Sequence, residues 1–253
     1  MTFPAPPWRP AAPRRTRPAK APLTRDQIVQ AGLRLVATEG IDAVSMRRPA
    51  AEFDTGPSSL YAHVQNKDEL LQLMFDEICG DVPVPVPDPE HWREQIKELS
   101  RAGYAAMVAH GDIARAALAT IPTGPNAMRV SDAMLGIMLA GGVPALIASI
   151  ALDRIFLYIV ADAFESSLYR DRVGSSDAEI SAYFEVLTEQ LATYYEGLPA
   201  DRYPNLRKYA RELVNGDGRR RFEFGLDMLV DGLDRYIEKP VTPDREKSGP
   251  IGQ

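Results

Sequence analysis

The chain has 253 residues, of which 45% are hydrophobic and 25% charged, and carries a formal net charge of −6. That length suits one large domain or two small ones, and the apolar fraction excludes a chain disordered throughout. A single cysteine, Cys79, excludes an intrachain disulfide and a cysteine-based zinc cluster, so a cytoplasmic location is expected.

The charge is uneven along the chain. Residues 1–75 carry 10 Lys/Arg against 7 Asp/Glu, whereas residues 76–253 carry 19 against 28. A basic front on an acidic body suits an N-terminal end that meets a polyanion. Within residues 1–22, Arg9, Arg14, Arg15, Arg17 and Lys20 stand among seven prolines. No core can form from that composition, which predicts a disordered, partly extended arm. It reads either as a cationic contact to DNA or as an inert tail. There is no continuous apolar segment here of the kind a secretory signal needs.

The rest reads as helix. Thr24 is a good N-cap, and Ile28, Ala31, Gly32, Leu35 and Val36 form one buried stripe that Gly40 ends. Ser45 is placed to cap a second helix running to about Phe53. Asp54-Thr55-Gly56-Pro57 is turn chemistry, with Pro57 opening a third helix of two turns that ends near Val64. Asn66 and Glu69 form a capping-box-like pair at the start of a fourth helix, whose stripe is Leu70, Leu73, Met74 and Ile78. Residues 81–89 (DVPVPVPDP) hold four prolines and read as a semi-rigid linker. Helices are expected near 90–109, 112–119, 126–141, 144–170, 177–195, 204–214 and 219–238, followed by a loose tail over 240–253. The longest apolar stretch, 143–161, is broken by Asp153 and Arg154, which argues against a membrane span.

Two short helices joined by a tight turn behind a longer one make a helix-turn-helix, whose second helix enters the DNA major groove. Pro57, Ser58, Ser59 and Ala62 are small enough for close approach to base edges. Leu60 and Val64 pin the inner face, while Tyr61 and His63 can reach phosphates. Lys67 adds a cation at the start of the fourth helix, and Arg47 lies where a phosphate or guanine edge would be met.

The run from Leu23 to Met74, centred on VSMRRPAAEFDTGPSSLYAHVQNKDELLQLM, resembles the TetR (tetracycline-repressor-like) family of transcriptional regulators. A weaker resemblance to its C-terminal domain continues to Tyr236 through HWREQIKEL, GPNAMR and FEFGLDMLVDGLDRY. The resemblance implies an all-α fold, with a helix-turn-helix domain over 23–68 and a helical ligand-binding and dimerisation domain over 69–239. Carried over residue by residue, the DNA contacts fall on Arg47, Thr55, Pro57, Ser58, Ser59, Tyr61, His63 and Lys67, with Ala62 close to the bases. One departure is Pro49, where the family usually has Leu. With Ser45 as cap, Pro49 forfeits the first intrahelical bond, so a loosened or shifted second helix and weakened DNA binding are expected.

The body suggests a dimer on its own terms. The 144–170 helix is apolar nearly all round at Ile147, Ile150, Ile155, Phe156, Leu157, Tyr158, Ile159 and Val160. The last helix has one stripe of Phe222, Leu226, Leu229, Leu233 and Ile237, with Phe224, Met228 and Tyr236 off it. A terminal helix with two apolar faces fits a symmetric contact with a second copy. For an effector pocket, Tyr104, Met107, Met128, Met134, Met138, Phe156 and Phe164 offer apolar walls and His110 a polar handle. Each methionine could equally be ordinary core, and His110 could simply cap carbonyls. The tetracycline repressor's metal-coordinating His aligns with Ala117, so no metal or cofactor is expected, and a small apolar or amphiphilic effector is.

The expected function is a ligand-responsive, homodimeric repressor on a palindromic DNA operator. Widely spaced His63, His91 and His110, with no Gly-rich phosphate loop, argue against an enzyme. A TetR-like scaffold that has lost DNA binding is the alternative that Pro49 keeps open.

Overall fold

The computed structural model describes residues 23–119, 121–173, 176–216 and 218–237, so the expected N-terminal arm and C-terminal tail lie outside the described residues. Among these the regular structure is all helical. The helix α1 (Arg25–Glu39) is followed by a 3₁₀ turn (Ile41–Ala43), α2 (Arg47–Glu52), α3 (Pro57–Leu60) and α4 (Lys67–Gly80). The body consists of α5 (Trp92–Val108), α6 (Ala114–Ala119), α7 (Pro125–Ala140), α8 (Ala145–Val173), α9 (Asp177–Glu196), α10 (Pro204–Lys208), α11 (Ala210–Leu213) and α12 (Gly218–Asp231). A 3₁₀ turn, Gly232–Tyr236, closes the series.

Capping explains the first boundaries. Thr24 Oγ1 accepts the Gln27 N–H at 3.2 Å while Gln27 Oε1 accepts the Thr24 N–H at 3.0 Å, a reciprocal capping box. Gly40, at φ 80, ends α1 in a conformation that L side chains rarely adopt. Asn66 Oδ1 accepts the Glu69 N–H at 2.8 Å to open α4. Glu69 returns the favour one residue earlier than the usual pattern, accepting from the Gln65 N–H at 2.5 Å.

The second helix departs from expectation. Ser45 is not its cap: α2 opens at Arg47 after Met46, with no side-chain cap. The Ser45 carbonyl instead accepts the Arg48 N–H at 3.3 Å. Pro49 is thereby the third helical residue, where an N–H has no intrahelical acceptor in any case, and its ring is buried. The helix is shifted as expected, but by a route that costs it no hydrogen bond.

α1, α2 and the first half of α4 close a small core around Ile28, Leu60, Val64, Leu70 and Met74, which is continuous with the body's core. The 81–89 stretch has no regular structure but is held: Val82 is buried, and Gln95 bonds the Asp88 N–H and the Val86 carbonyl at 2.8 and 2.7 Å. The expected 204–214 helix is two short pieces broken at Tyr209. α12 and the 3₁₀ turn after it are zipped to α5 by charge, with Arg101 on Glu223 and Lys97 on Asp227 and Asp231 of α12, and Arg93 on Asp234 of the turn. The other face of α12 leaves Phe224 and Met228 66% and 62% exposed.

Candidate nucleic-acid interface and ligand cavity

The turn between α2 and α3 is set by Asp54, at φ 50. The Thr55 N–H bonds the Ala50 carbonyl at 3.2 Å and the Asp54 N–H bonds Ala51 at 3.1 Å. This is a Schellman-type stop with an aspartate in the left-handed position that usually falls to glycine. It aims α3 away from α2. Leu60 and Val64 are fully buried and anchor α3 and the turn after it. The Val64 N–H still reaches the Leu60 carbonyl at 2.9 Å, although regular helix stops at Leu60 rather than near Val64.

The anchored face leaves the opposite one open. Ser58, Ser59, Tyr61, Ala62 and His63 are exposed, Tyr61 by 54%. Pro57 opens α3, and Thr55 Oγ1 shares a hydrogen bond of 2.7 Å with Ser59 Oγ across the turn. Lys67 is half-buried at the first position of α4. The two neighbouring arginines of α2 differ: Arg48 is tied to Glu39 of α1, whereas exposed Arg47 has no ion pair among the described residues. Glu52 and Glu69 are likewise engaged, by Arg34 and Arg25. Arg47 and Lys67 thus keep no ion pair among the described residues while Glu39, Glu52 and Glu69 are held by arginines, and two cations beside exposed α3 suit a phosphate backbone.

On the other side of α4 lies a cavity of about 360 Å³. Its walls are Phe75, Ile78 and Cys79 of α4, Leu99, Gly103, Ala106 and Met107 of α5, Ala117 and Leu118 of α6, Ala127, Val130 and Met134 of α7, and Leu152, Phe156 and Ile159 of α8. Ser131, Ser149 and Asp153 give it a polar edge, with Asp153 held by Arg154. Burial, then the neighbouring Asp76 charge, pushes the Cys79 thiol up to about 12.

Of the expected pocket residues, Met107, Met134 and Phe156 line this cavity. The others do not. Met138 is fully buried core, and Met128 is 56% exposed. His110 Nδ1 meets the Ala106 carbonyl at 2.8 Å, a helix-end contact. Tyr104 turns to the far side of α5, where its hydroxyl pairs with Ser166 at 2.8 Å, its ring stacks on Phe222, and it lines a separate open groove of about 960 Å³ with Arg170, Phe184 and Arg221. Phe164 is half-buried against the core and lines neither space. Of the α4 wall, Ile78 belongs to the stripe read from the sequence, whereas Phe75 and Cys79, four apart on the same helix, were missed as a pocket face.

The chain matches two family models. Residues 28–74 match the bacterial regulatory proteins of the tetR family, and residues 85–237 match the tetracyclin repressor-like C-terminal domain. The HTH-type transcriptional repressor DrrR1 of Streptomyces coeruleorubidus is 32% identical over 87% of this chain and 82% of its own length. A tetracycline repressor of class G from Vibrio anguillarum is 26% identical over 88% of this chain and 99% of its own. Among solved structures, ActR of Streptomyces coelicolor in complex with actinorhodin is 39% identical, with a TM-score of 0.77 over 87% of this chain and 99% of that one.

Proposed function

The chain belongs to the tetR family of bacterial regulatory proteins, and from that premise we propose that it is a homodimeric repressor that leaves its operator when a small molecule fills the α4–α8 cavity. One observation carries the reading. A single helix, α4, starts at Lys67, directly after the turn that follows α3, and carries Phe75, Ile78 and Cys79 in the cavity wall further along.

In this reading α3 enters the major groove, with Thr55, Pro57, Ser58, Ser59 and Ala62 nearest the bases and Arg47, Tyr61, His63 and Lys67 on phosphates. Two copies, joined through α8 and α12, present two such helices to a palindrome. Exposed Leu146 and Ile150 of α8 and Phe224 and Met228 of α12 support that contact. A ligand that prefers the arrangement in which the two units no longer match the half-site spacing shifts the population off DNA. The protein has no catalytic role in this scheme and acts in the cytoplasm.

The cavity supports an amphiphilic effector: apolar walls for fused rings, and Ser131, Ser149 and Asp153 for hydroxyl groups at one edge. Ala117 brings a methyl to the wall and no metal ligand. The actinorhodin complex of ActR recommends actinorhodin as the first probe.

The test selects a binding site from a random DNA pool with the full-length protein and measures gel shifts across salt concentrations. A palindrome bound by the native protein, lost in Tyr61→Ala and released by actinorhodin or another amphiphilic aromatic, bears the reading out. Failure to enrich any sequence overturns it in favour of a scaffold without DNA binding.

A further inference from the structure

Two hydrogen-bonded clasps join α4 to α7, and each helix caps the other. Gly124, the N-cap residue of α7, has no side chain to offer. Its place is taken by Asp76 of α4, which is 7% exposed and whose Oδ1 accepts the Ala127 N–H at 2.9 Å, with Asn126 Nδ2 at 3.4 Å from Oδ2. The fit requires glycine: a Cβ on Gly124 would lie 2.2 Å from the Asp76 carboxyl carbon. In return Arg129 of α7 reaches the C-terminal end of α4. Its Nη2 donates to the carbonyls of Cys79, Gly80 and Val82 at 2.9, 3.2 and 3.0 Å. A carboxylate on one helix N-terminus and a guanidinium on the other's C-terminus each meet the favourable end of a helix dipole.

The clasps border the cavity. Ala127 gives its N–H to Asp76 and its side chain to the cavity wall, while Phe75 and Cys79 flank the clasp on α4. A molecule entering between α4 and α7 therefore cannot pry the two apart without breaking the buried, charge-assisted Asp76–Ala127 bond and the half-buried bonds of Arg129 to Cys79 and Val82, which are costly to leave unmade. It can move them together against α5 and α8. The other end of α4 shares a buried core with α1 and α3 through Leu70, Met74, Ile28 and Leu60, so a shift of α4 is passed to the DNA-binding unit.

Resting on the effector reading above, we propose that Asp76 and Arg129 are positioning residues that make α4 and α7 one rigid lever, and that this lever converts filling of the cavity into displacement of α3. Without the clasps, an occupant would be absorbed by α7 sliding on its own.

The experiment builds the occupant into the full-length chain, so no effector need be identified. Ala106→Trp, or Ala117→Phe as a second filler, places a ring in the cavity. Each is made in the native background, in Asp76→Leu/Arg129→Met, and in Asp76→Asn, whose amide oxygen can still accept the Ala127 N–H. Spin labels at Ser58→Cys and Glu165→Cys, in a Cys79→Ala background diluted with unlabelled chain, read the α3–α8 distance within one protomer. Operator affinity on the selected DNA is read in parallel on the same cavity and clasp variants without the label cysteines, since Ser58 belongs to the DNA-reading face. With intact clasps a filler shifts the distance by about 2 Å, the scale of a packed-helix shift, and weakens operator binding about tenfold. In Asp76→Leu/Arg129→Met the same filler changes neither, and Asp76→Asn restores both responses. Equal responses in all three backgrounds, or no distance shift in any, overturns the proposal. So does loss of operator binding in the unfilled Asp76→Leu/Arg129→Met protein, which marks a merely structural role. Absence of any operator binding by the native protein defeats the regulator reading alone, because the distance measurement still decides the clasp.

Discussion

A Cβ placed on Gly32 of α1 would sit 2.6 Å from Met74 Sδ of α4, closer than packed atoms tolerate, so the absence of that carbon is what lets the two helices meet. Gly32→Ala gains about 1 kcal/mol of helix propensity but overpacks the small core by about 1–3 kcal/mol. The thioether is the far end of a flexible side chain and can yield part of the way. A net loss of about 1 kcal/mol in a denaturation experiment is expected. Adding Met74→Ala should then cost less than it does in the native background, because the new methyl partly fills the cavity left behind.

The junction of α1 with the body hangs on Asp112, whose two carboxylate oxygens accept the Ile41 N–H at 2.9 and 3.2 Å. Asp112→Ala leaves that half-buried donor without its acceptor and should cost about 1–2 kcal/mol. The nearby Arg115–Asp42 pair, 2.8 Å long, is open to solvent on both sides. Arg115→Ala should therefore leave the melting temperature unchanged within error, and more clearly so at high salt. A loss as large as that of Asp112→Ala would show that the pair has a role the exposed geometry does not convey.

Much of this arrangement is legible before folding is considered. The stripes of α12 read directly: Phe222 and Leu226 are buried, Leu229 is half-buried, and Phe224 and Met228 are exposed, because a 3.6-residue period leaves little choice once one face is apolar. The pattern continues with buried Leu233, half-buried Ile237 and exposed Tyr236, although the helix has by then tightened to a 3₁₀ turn. The α3 surface was readable for the same reason, since Leu60 and Val64 four apart fix which side faces inward. The cavity was less legible. Met107, Met134 and Met138 are all buried, and only the crossing of α5, α7 and α8 decides which ones border an empty space. The start of α2 was misplaced because Ser45 has the right chemistry for a cap, whereas the proline four residues later removes the N–H that would pair with its carbonyl. The α4–α7 clasps join residues about fifty apart in sequence, and no local pattern announces them.

Cys79 is a thiol held in the cavity wall with its pKa raised from 9.0 to about 12 by burial. At pH 8 the thiolate fraction is on the order of a thousandfold below that of the unfolded chain, so alkylation by iodoacetamide should be slower by roughly two to four powers of ten until the protein is denatured. The sign for stability follows. The unfolded chain releases this proton first, so stability is fully present below pH 9 and falls as pH rises towards 12. Cys79→Ala should remove the thiol's part of that slope and leave the part due to Tyr158, whose hydroxyl is likewise pushed up by burial. Fast labelling of the native protein at pH 8 would mean that the cavity opens to solvent far more often than its packing implies.

Lys67 begins α4 beside α3 and, in the regulator reading, meets a phosphate in each half-site. Lys67→Ala should weaken binding to matched and mismatched DNA alike. It should also flatten the plot of log affinity against log salt by about 2, one unit for each protomer. Ser59→Ala should act differently, lowering discrimination between sequences with little change in that slope. Identical salt slopes for native and Lys67→Ala protein would remove Lys67 from the interface.

The outward face of α12 gives the last expectation. Lys97 and Arg101 of α5 hold the acidic side of α12, and Arg93 holds the turn after it, which fixes the helix rotation and leaves Phe224 and Met228 in solvent. In α8, Leu146 and Ile150 are exposed one turn apart, 72% and 52%. Burying these side chains against their symmetry mates takes apolar surface out of water and drives association. Phe224→Glu/Met228→Glu places four charges at that contact in the dimer, and like charges brought together there without water oppose association. Sedimentation velocity should give a monomer for the double variant and a dimer for the native chain, with the helical circular-dichroism signal unchanged. Operator affinity should fall at least tenfold, because each protomer then holds only one half-site. A double variant that remains dimeric would move the interface away from α8 and α12.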